Sequence, residues 1–383
     1  MQDAVAAYDT GLRRATIPAA GGLPALLASP DPPADALRHH LGTLPAAALP
    51  GLLDQLAYHR IEGLAHRALT RLPPDGLDPW LRSSLKRRHQ RIAAAALVQG
   101  LALSELLEAL QRARLEVIVM RGLRVTEAIY GEPGLRPFED HDLLVPPEAL
   151  DAARTTLRRL GFEACSPLLL RRGGMLIDLH TDPLGAARRP SRAVLFPLST
   201  HHLFARATPG RVAGAPALLL PLEDEVLLIA IHLVKHSFDR LIRIADLSHL
   251  IACHGHAICW ETVRRRAEAS RTVRLVGWAL EAASMLGGVP APRGWRSTLR
   301  DGWLARFLMQ RVNALRPTPY SGEILMALAG GSAGGACRFL IDALLPAVET
   351  PDGLWSRAAA VPGRTARLVR HAVWQIEARR HGR

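Results

Sequence analysis

The sequence is poor in cysteine, aromatic residues and lysine, and it has no long uninterrupted apolar run. Its four cysteines are widely spaced and form no C-x-x-C pair, which indicates free thiols in a reducing compartment rather than a disulfide framework. The first residues do not combine a basic stretch with an apolar one, so they do not resemble a signal peptide. The longest apolar helical stretch, residues 92–110, is interrupted by four polar residues, too many for a bilayer span. We therefore expect a cytoplasmic protein without a transmembrane segment.

The formal net charge is +13 although the chain contains only two lysines, because arginine has replaced lysine almost everywhere. Together with abundant Ala, Leu, Gly and Pro, this composition is typical of GC-rich bacterial coding sequences. A basic chain can bind polyanions. Here the arginines are spread over predicted helix faces and form no clear nucleic-acid-binding module. A solvated surface is therefore favoured, and nucleic acid is not expected as a partner.

Apolar spacing and helix breakers divide the chain into four predicted regions. Residues 1–35 are rich in Ala, Gly and Pro and are predicted to be irregular. Residues 36–114 show the apolar spacing of helices, residues 115–220 hold the strand patterns, and residues 221–383 are again helical. We predict an α+β fold, with a small mixed β-sheet core flanked by N-terminal and C-terminal helical regions. The chain ends in a predicted basic amphipathic helix, residues 357–383, which by default docks on the protein itself.

The central region alternates strand patterns with turn residues. Apolar or β-prone segments bounded by turns predict strands at residues 117–120, 140–145, 162–165, 168–172, 175–180 and 218–220. A helix is predicted between the first two strands and another at residues 146–160, where Pro precedes and Gly161 follows the helical pattern. Residues 188–214 show no clear pattern and are predicted to be irregular.

Three aspartates lie on these predicted strands at alternating positions. Side chains two apart on a strand share a face, so Asp140 and Asp142 point the same way, and so do Asp178 and His180. Like charges side by side are costly unless a cation lies between them. Oxygen ligands without a nearby thiol favour Mg²⁺ or Mn²⁺. We therefore predict a metal site at Asp140, Asp142 and Asp178; solvated or loop-capping aspartates are the alternative.

Arg121 and Gly122 lie between an apolar strand and a helix. The first turn of a helix offers free N–H groups and a partial positive charge, and glycine lets a phosphate approach the backbone. An anion site, a D-x-D strand and a further strand aspartate together are typical of sites that bind a nucleoside triphosphate.

His232 and His236 are four residues apart on a predicted helix and share a face. This spacing is half of a zinc site, but no third ligand stands out. A structural role, or a position lining the nucleotide, is favoured over zinc.

In the order of these motifs, the chain resembles the uncharacterised nucleotidyltransferase family of the polymerase-β-like superfamily. The resemblance covers about residues 41–259. It is carried by the segments at 121–122, 130, 136, 140–145, 177–180, 232–236, 240–241 and 246–247. Two positions depart from the family pattern, which usually has Lys-Gly at 121–122 and an apolar residue in place of His141.

The resemblance implies a nucleotidyltransferase core at residues 115–220 and a set of site residues. The implied catalytic and metal-binding residues are Asp140, Asp142 and Asp178. The implied nucleotide- and phosphate-binding residues are Arg121, Gly122, Arg136, His180, Lys235, His236 and Arg240. Asp246 is expected to pair with an arginine.

The function that follows as an expectation is metal-dependent transfer of a nucleoside monophosphate from an NTP to a hydroxyl. The acceptor is left open between a small molecule, a sugar and a peptide in a biosynthetic pathway. Two alternatives stay open. One is glycosyl transfer from a nucleotide-sugar at the same D-x-D site. The other is a non-catalytic accessory protein that binds a nucleotide or a peptide.

Overall fold

A seven-stranded mixed β-sheet lies in the middle of the chain, between two sets of helices. The computed structural model describes residues 22–295 apart from 74, 76 and 188, and also residues 303–313, 315, 321–330, 335–337 and 339–340. The predicted basic helix at 357–383 lies outside the described residues. The sheet and its flanking helices confirm the predicted fold class.

The elements before the sheet are helical. They are α1 (Gly22–Ala28), α2 (Ala34–Gly42), α3 (Leu49–His59), α4 (Glu62–Thr70) and the long helix α5 (Pro79–Arg112), with a 3₁₀ turn at Ala46–Ala48 before α3. The side chain of Asp78 caps α5 by accepting a hydrogen bond from the backbone N–H of Leu81 (3.0 Å), and Pro79 takes the first helical position.

The strands and the helices between them follow. They are β1 (Ile118–Val119), α6 (Leu123–Val125, continued by a π-helical turn at Thr126–Tyr130), β2 (Asp140–Leu144), a 3₁₀ turn (Pro147–Ala149), α7 (Leu150–Arg159), β3 (Glu163–Ala164), β4 (Leu169–Arg172), β5 (Met175–His180), α8 (Ser191–Leu195), α9 (Thr200–Arg206), β6 (Thr208–Val212) and β7 (Ala215–Leu219). The remaining described helices are α10 (Leu222–Lys235), α11 (Leu241–His254), α12 (Trp260–Ala269), α13 (Val273–Gly287), α14 (Trp303–Asn313) and α15 (Ser321–Ala329).

The strand order is β3-β4-β5-β2-β1-β7-β6. The pairs β2–β5 and β1–β7 are parallel, and the other neighbouring pairs are antiparallel. The central strands β5, β2 and β1 are therefore supported by neighbours on both sides, and they are the strands that carry or adjoin the predicted site.

The two faces of the central strands are covered by different helices. On one face, apolar residues such as Leu143 and Ile177 pack against the second half of α5 and against α7. On the other, Ile118 and Leu144 pack with Leu203 of α9 and Leu228 of α10. Because side chains alternate along a strand, Asp142 and Asp178 lie on the face that α10 covers.

The largest apolar cluster joins helices from both ends of the chain. Residues of α1, α3, α4 and the start of α5 pack with residues of α10, α11 and α13 in one continuous core. The two helical segments that flank the sheet in sequence are thus packed together in space. The division of the chain into regions at 36–114, 115–220 and 221–383 stays a prediction.

Two segments predicted to be irregular contain regular structure. The described part of residues 1–35 includes α1, whose last four residues are buried in the large core, so its apolar contacts outweigh the neighbouring Gly and Pro. Residues 188–214 contain α8, α9 and β6. Strand β6 includes Pro209 and Gly210, which hide a strand pattern but are tolerated because β6 is the edge strand of the sheet.

By length and composition alone, α5 is the one described helix that could cross a membrane. A third of its most apolar window is buried within the protein, and core helices pass the same test. Leu103, Leu106, Leu107 and Leu110 of α5 belong to the core beneath the sheet. The absence of a transmembrane segment stays an expectation.

A buried ion pair ties the segment before β2 to α11. The Nε and Nη2 atoms of Arg136 donate hydrogen bonds to the two carboxylate oxygens of Asp246 (2.7 and 2.8 Å), and the hydroxyl of Tyr130 donates a further one (2.9 Å). All three residues are buried. The expected pairing of Asp246 with an arginine is confirmed, and it joins the sheet segment to the helical core.

Gly122 connects β1 to α6 in a conformation that only glycine adopts readily (φ 81°, ψ −132°). A Cβ atom at this position would lie 2.5 Å from Nδ1 of His141 and 2.7 Å from the carbonyl oxygen of Asp140. The chain after β1 therefore lies directly against β2. Glycine is required here because the backbone at position 122 approaches β2 closely.

We predict that Asp246→Ala destabilises the protein by about 3–5 kcal/mol, because it leaves the buried guanidinium of Arg136 without its carboxylate partner. The measurement is the free energy of unfolding in urea. Asp151→Ala removes an exposed i,i+3 pair with Arg154 and serves as the control, with an expected loss below about 1 kcal/mol. Equal losses in both variants would contradict a stabilising role for the buried pair.

We predict that Gly122→Ala destabilises the protein by about 2–4 kcal/mol, because it adds both an unfavourable backbone conformation and a steric overlap with β2. Gly131→Ala is the matched control. Gly131 also has a positive φ (68°), but no atom lies within 4 Å of a Cβ built there, so about 1 kcal/mol is expected. Thermal and urea denaturation of the two variants separate the steric term from the backbone term.

Candidate functional site

The parallel pairing of β2 with β5 brings the predicted carboxylates together. Asp142 is aligned with Asp178 across the two strands, and Asp140 lies two residues before Asp142 on the same face. His180 lies two residues after Asp178 on that face and is buried. The site is therefore formed by two adjacent strands that are far apart in sequence.

The carboxylate of Asp142 is bonded on both of its oxygens. Its Oδ2 accepts a hydrogen bond from Nε of Arg121 (2.7 Å), and its Oδ1 lies 2.6 Å from Nε2 of His180. Burial alone would raise the pKa of Asp142, but the charge of Arg121 and the hydrogen bond from His180 hold it well below its ordinary value. This carboxylate is therefore ionised at neutral pH.

His180 bridges the two aligned aspartates. Its Nε2 lies 2.6 Å from Asp142 and 3.3 Å from Oδ2 of Asp178. Burial opposes the charge on this ring, but the hydrogen bonds to Asp142 and Asp178 outweigh it and raise the pKa of His180. In contrast, burial and the nearby charge of Asp142 raise the pKa of Asp140. Hydrogen-bond donors therefore hold Asp142 and Asp178, whereas Asp140 is affected by burial and by nearby charges.

The residues present are compatible with a divalent cation. Ligand atoms of Asp142, Asp178 and His180 all lie within 4.8 Å of one another. This group contains two of the three predicted ligands and His180, whereas Asp140 stands beside it. Carboxylate oxygens suit Mg²⁺ and Mn²⁺, and an imidazole nitrogen suits transition metals. These side chains therefore fit a divalent cation. Which ion binds, Mg²⁺ or Mn²⁺, stays a prediction.

The C-terminal end of α10 brings positive charge to the carboxylates. Burial, together with the charges of Arg192 and Arg121, lowers the pKa of Lys235 to about 7, while Asp142 and Asp178 act in the opposite direction. Gly185 gives space to these side chains, since a Cβ there would lie 3.3 Å from Nη1 of Arg192. Arg192, which also donates to the carbonyl oxygen of Leu184 (3.0 Å), was not recognised from the sequence.

The rings of His232 in α10 and His236 directly after it lie close together, with centroids 4.3 Å apart and ring planes tilted by 50°. Burial is the main reason that the pKa of His236 falls to about 2, and neighbouring positive charges contribute. His232 is shifted in the same direction, with burial and Arg121 as the leading causes of its lowered pKa. Both rings are neutral at pH 7. Among the described residues no third histidine, cysteine or acidic ligand completes a metal group with them.

Two further predicted phosphate-binding residues, Arg136 and Arg240, lie around the site. Arg136 is engaged with Asp246 through its Nε and Nη2 atoms. Arg240 lies over the ring of Tyr58 (5.6 Å to the centroid) and near Asp239 (3.9 Å), and it is part-exposed. A direct phosphate contact for either residue stays a prediction.

Arg60 and Arg243 also face this region and were missed from the sequence. Burial, with the charges of Arg240 and Arg243, lowers the pKa of Arg60 to about 10, whereas the charge of Asp140 raises it. Arg60 forms an ion pair with Glu139, the residue before Asp140, and Arg243 forms one with Asp239. In a chain with arginines throughout, no local pattern distinguishes these from surface residues.

His141, which departs from the family pattern, points away from the carboxylates and is fully buried. Its Nδ1 accepts a hydrogen bond from the backbone N–H of Leu123 (3.4 Å), and its ring packs near Phe138. Burial lowers the pKa of His141 to about 4, so the ring is neutral. It therefore helps to position the start of α6 against β2.

A comparison with protein-family models agrees with the motifs. A solved structure of the aminoglycoside nucleotidyltransferase ANT(2")-Ia in complex with adenylyl-2"-tobramycin is 16% identical, with 45% of this chain and 96% of that chain covered at a TM-score of 0.30. No curated protein matches. The family model for uncharacterised nucleotidyltransferases matches residues 46–288, which is more than half of the chain and confirms the resemblance seen in the motifs. The chain therefore belongs to the family of uncharacterised nucleotidyltransferases.

Proposed function

We propose that the protein is a metal-dependent nucleotidyltransferase that moves a nucleoside monophosphate from an NTP to a hydroxyl group. The observation that carries the proposal is the alignment of Asp142 with Asp178 on adjacent strands, with Asp140 on the same face, Arg121 bonded to Asp142, and Lys235 close enough for Asp142 and Asp178 to act on its charge. Membership of the nucleotidyltransferase family supports it. A cytoplasmic enzyme with an NTP as its donor and a small molecule, sugar or peptide as its acceptor is the reading we favour.

In this proposal the acceptor oxygen attacks the α-phosphorus and forms a new P–O bond. The bond from that phosphorus to the β-phosphate oxygen breaks, and pyrophosphate leaves. The proton of the acceptor hydroxyl passes to Asp178. Asp140, Asp142 and Asp178 would hold Mg²⁺ or Mn²⁺, which when bound would offset phosphate charge and polarise the attacking oxygen.

The positive groups have the complementary task of holding the triphosphate. Arg121 uses Nε for Asp142, so the other nitrogen atoms of its guanidinium can face phosphate oxygens. Lys235 lies near the same carboxylates and Arg192 lies near Lys235, and both would contact the β- and γ-phosphates. His180 joins Asp142 to Asp178 and keeps their side chains oriented. Catalysis would then come from positioning and charge neutralisation.

We predict that the wild type binds at least one NTP in a Mg²⁺-dependent manner and that Asp140→Asn/Asp142→Asn weakens this binding by about 100-fold or more. The double variant removes two of the three carboxylates that would hold the cation. Isothermal titration calorimetry with each of the four NTPs, with and without Mg²⁺, measures it. Asp151→Asn, an exposed carboxylate on α7, is the charge-matched control and is expected to bind as the wild type does.

The product separates the proposal from its alternatives. Pyrophosphate release with an acceptor is expected for nucleotidyl transfer, whereas release of a nucleoside diphosphate from a nucleotide-sugar would indicate glycosyl transfer. If the folded wild type binds none of the four NTPs with Mg²⁺, the nucleotidyltransferase proposal fails.

We predict that Lys235→Met stabilises the unliganded protein but weakens NTP binding. The folded-state pKa of Lys235, about 7, lies below the ordinary lysine value of 10.5. Folding therefore opposes protonation of this amine: the destabilisation is complete below pH 7 and disappears as the pH rises towards 10.5. The gain in Tm of the variant is thus expected to be larger at pH 6 than at pH 9, as thermal denaturation at the two pH values can test.

Lys86→Met is the natural control, because Lys86 is the only other lysine of the chain and is exposed on α5. It is expected to change neither the Tm difference between the two pH values nor the NTP affinity. A Lys235→Met variant that is less stable than the wild type at pH 6, or that binds NTP unchanged, would contradict the role assigned to Lys235.

A further inference from the structure

A cavity of about 350 Å³ lies between the middle of α5, Glu62 at the start of α4 and the segment that leads into β2. This volume is within the range of sites that bind small molecules. Its apolar wall includes Ile92 and Ala95 of α5, and Phe138 from the segment before β2. The cavity can therefore hold the apolar body of a small ligand.

Some of the arginines that line this cavity have carboxylate partners among the described residues, and one does not. Arg88 pairs with Glu62 (3.2 Å), and Arg136 pairs with Asp246, so both of these positive charges have carboxylate partners. Arg91 also lines the cavity, but none of the ion pairs found in the described residues includes it. Arg91 is exposed to solvent, so its guanidinium is open to an anionic group on a ligand, which could pair with it without displacing another carboxylate.

Gln99 supplies a second, independent requirement. It lines the cavity about two helical turns after Ile92 and one turn after Ala95. Its Oε1 atom is buried without a hydrogen-bond partner among the described residues. A buried acceptor without a partner is costly, and an N–H or O–H donor on a ligand would satisfy it. Arg91 and Gln99 are eight residues apart on α5, about 12 Å along the helix, so both groups can act on one molecule of this size.

The position of the cavity connects it to the proposed chemistry. Phe138 is two residues before Asp140, so the cavity wall and this carboxylate are separated by at most about 7 Å of backbone. Arg136 lines the cavity and is also close enough to Asp140 for its charge to act on that carboxylate. The groups proposed to hold the triphosphate are Arg121, Arg192 of α8 and Lys235 of α10, whereas the cavity is formed mainly by α5. The proposed triphosphate site and the cavity are therefore lined by different parts of the chain.

We propose that this cavity binds the acceptor, and that the acceptor is a small organic acid with an apolar body. Its carboxylate contacts Arg91, an N–H or O–H group donates to Oε1 of Gln99, and its apolar part packs between α5 and Phe138. The reacting hydroxyl then points towards Asp140. The assignment of an acceptor rests on the proposed function, but the binding of such an acid can be tested without any nucleotide.

Indole-3-acetate is a suitable probe because it combines an aromatic body, one carboxylate and one N–H donor. Indole-3-acetamide, which is neutral and of nearly the same shape, is the matched control ligand. We expect saturable binding of the acid to the full-length protein by ligand-observed NMR, and binding of the amide that is about tenfold weaker, because the amide lacks the charge that Arg91 attracts.

Variants on α5 locate the binding. Arg91→Gln is expected to weaken the acid about tenfold without affecting the amide, and Ala95→Phe is expected to abolish binding of both by filling the cavity. Arg87→Gln and Ala94→Phe are the controls, since both residues are exposed on the same helix and do not line the cavity. They are expected to bind both probes as the wild type does.

Four outcomes would overturn the inference. These are no saturable binding of the acid by the folded wild type, equal affinity for acid and amide, equal effects of Arg91→Gln and Arg87→Gln, and unchanged binding by Ala95→Phe. Calorimetry with NTP and Mg²⁺ on Ala95→Phe distinguishes a failure of the acceptor-cavity proposal from a failure of the nucleotidyltransferase proposal. Unchanged NTP affinity is expected; loss of NTP affinity would make the cavity part of the donor site and overturn its assignment to the acceptor.

Discussion

The alignment of Asp142 with Asp178 on adjacent parallel strands is the constraint on which the rest of the site depends. Two carboxylates at neighbouring positions repel each other, and burial removes the water that would screen them. The protein offsets this repulsion with Arg121 from the end of β1 and with His180 from β5 itself. Elements that are distant in sequence are therefore required to meet on one face of the central strands.

The apolar face of the same strands fixes this alignment. Leu143, Ile177 and Leu179 are completely buried against α5 and α7, and they alternate with the charged residues. A shift of either strand by one residue would turn its aspartates into this apolar cluster, at a large cost in desolvation. The hydrophobic core beneath the sheet thus determines which carboxylates face each other, and the long helix α5 contributes to the site although its core residues lie on the opposite face.

The local patterns of the site could be predicted from the sequence, but its assembly could not. Alternation in β2 and β5 was sufficient to place Asp140 with Asp142 and Asp178 with His180, since it depends only on neighbouring residues. The parallel pairing of these strands depends on packing, and so do the positions of Arg60 and Arg192, which look like surface arginines in an arginine-rich chain. Helix α1 and strand β6 were missed for a related reason: burial and an edge position decide their structure more than their own Gly and Pro content.

The arginine at position 121 has a geometric consequence for the proposed function. A lysine amine is a single point of charge, whereas a guanidinium presents donors in two directions. With Nε bonded to Asp142, Arg121 can keep the carboxylate oriented and still offer its remaining N–H groups to a phosphate oxygen. Gly122 then holds the following turn directly against β2, which limits how far Arg121 can move from Asp142. The Arg-Gly pair is therefore compatible with a site in which one side chain joins the carboxylates to the triphosphate, and Lys235 supplies the second, titratable charge.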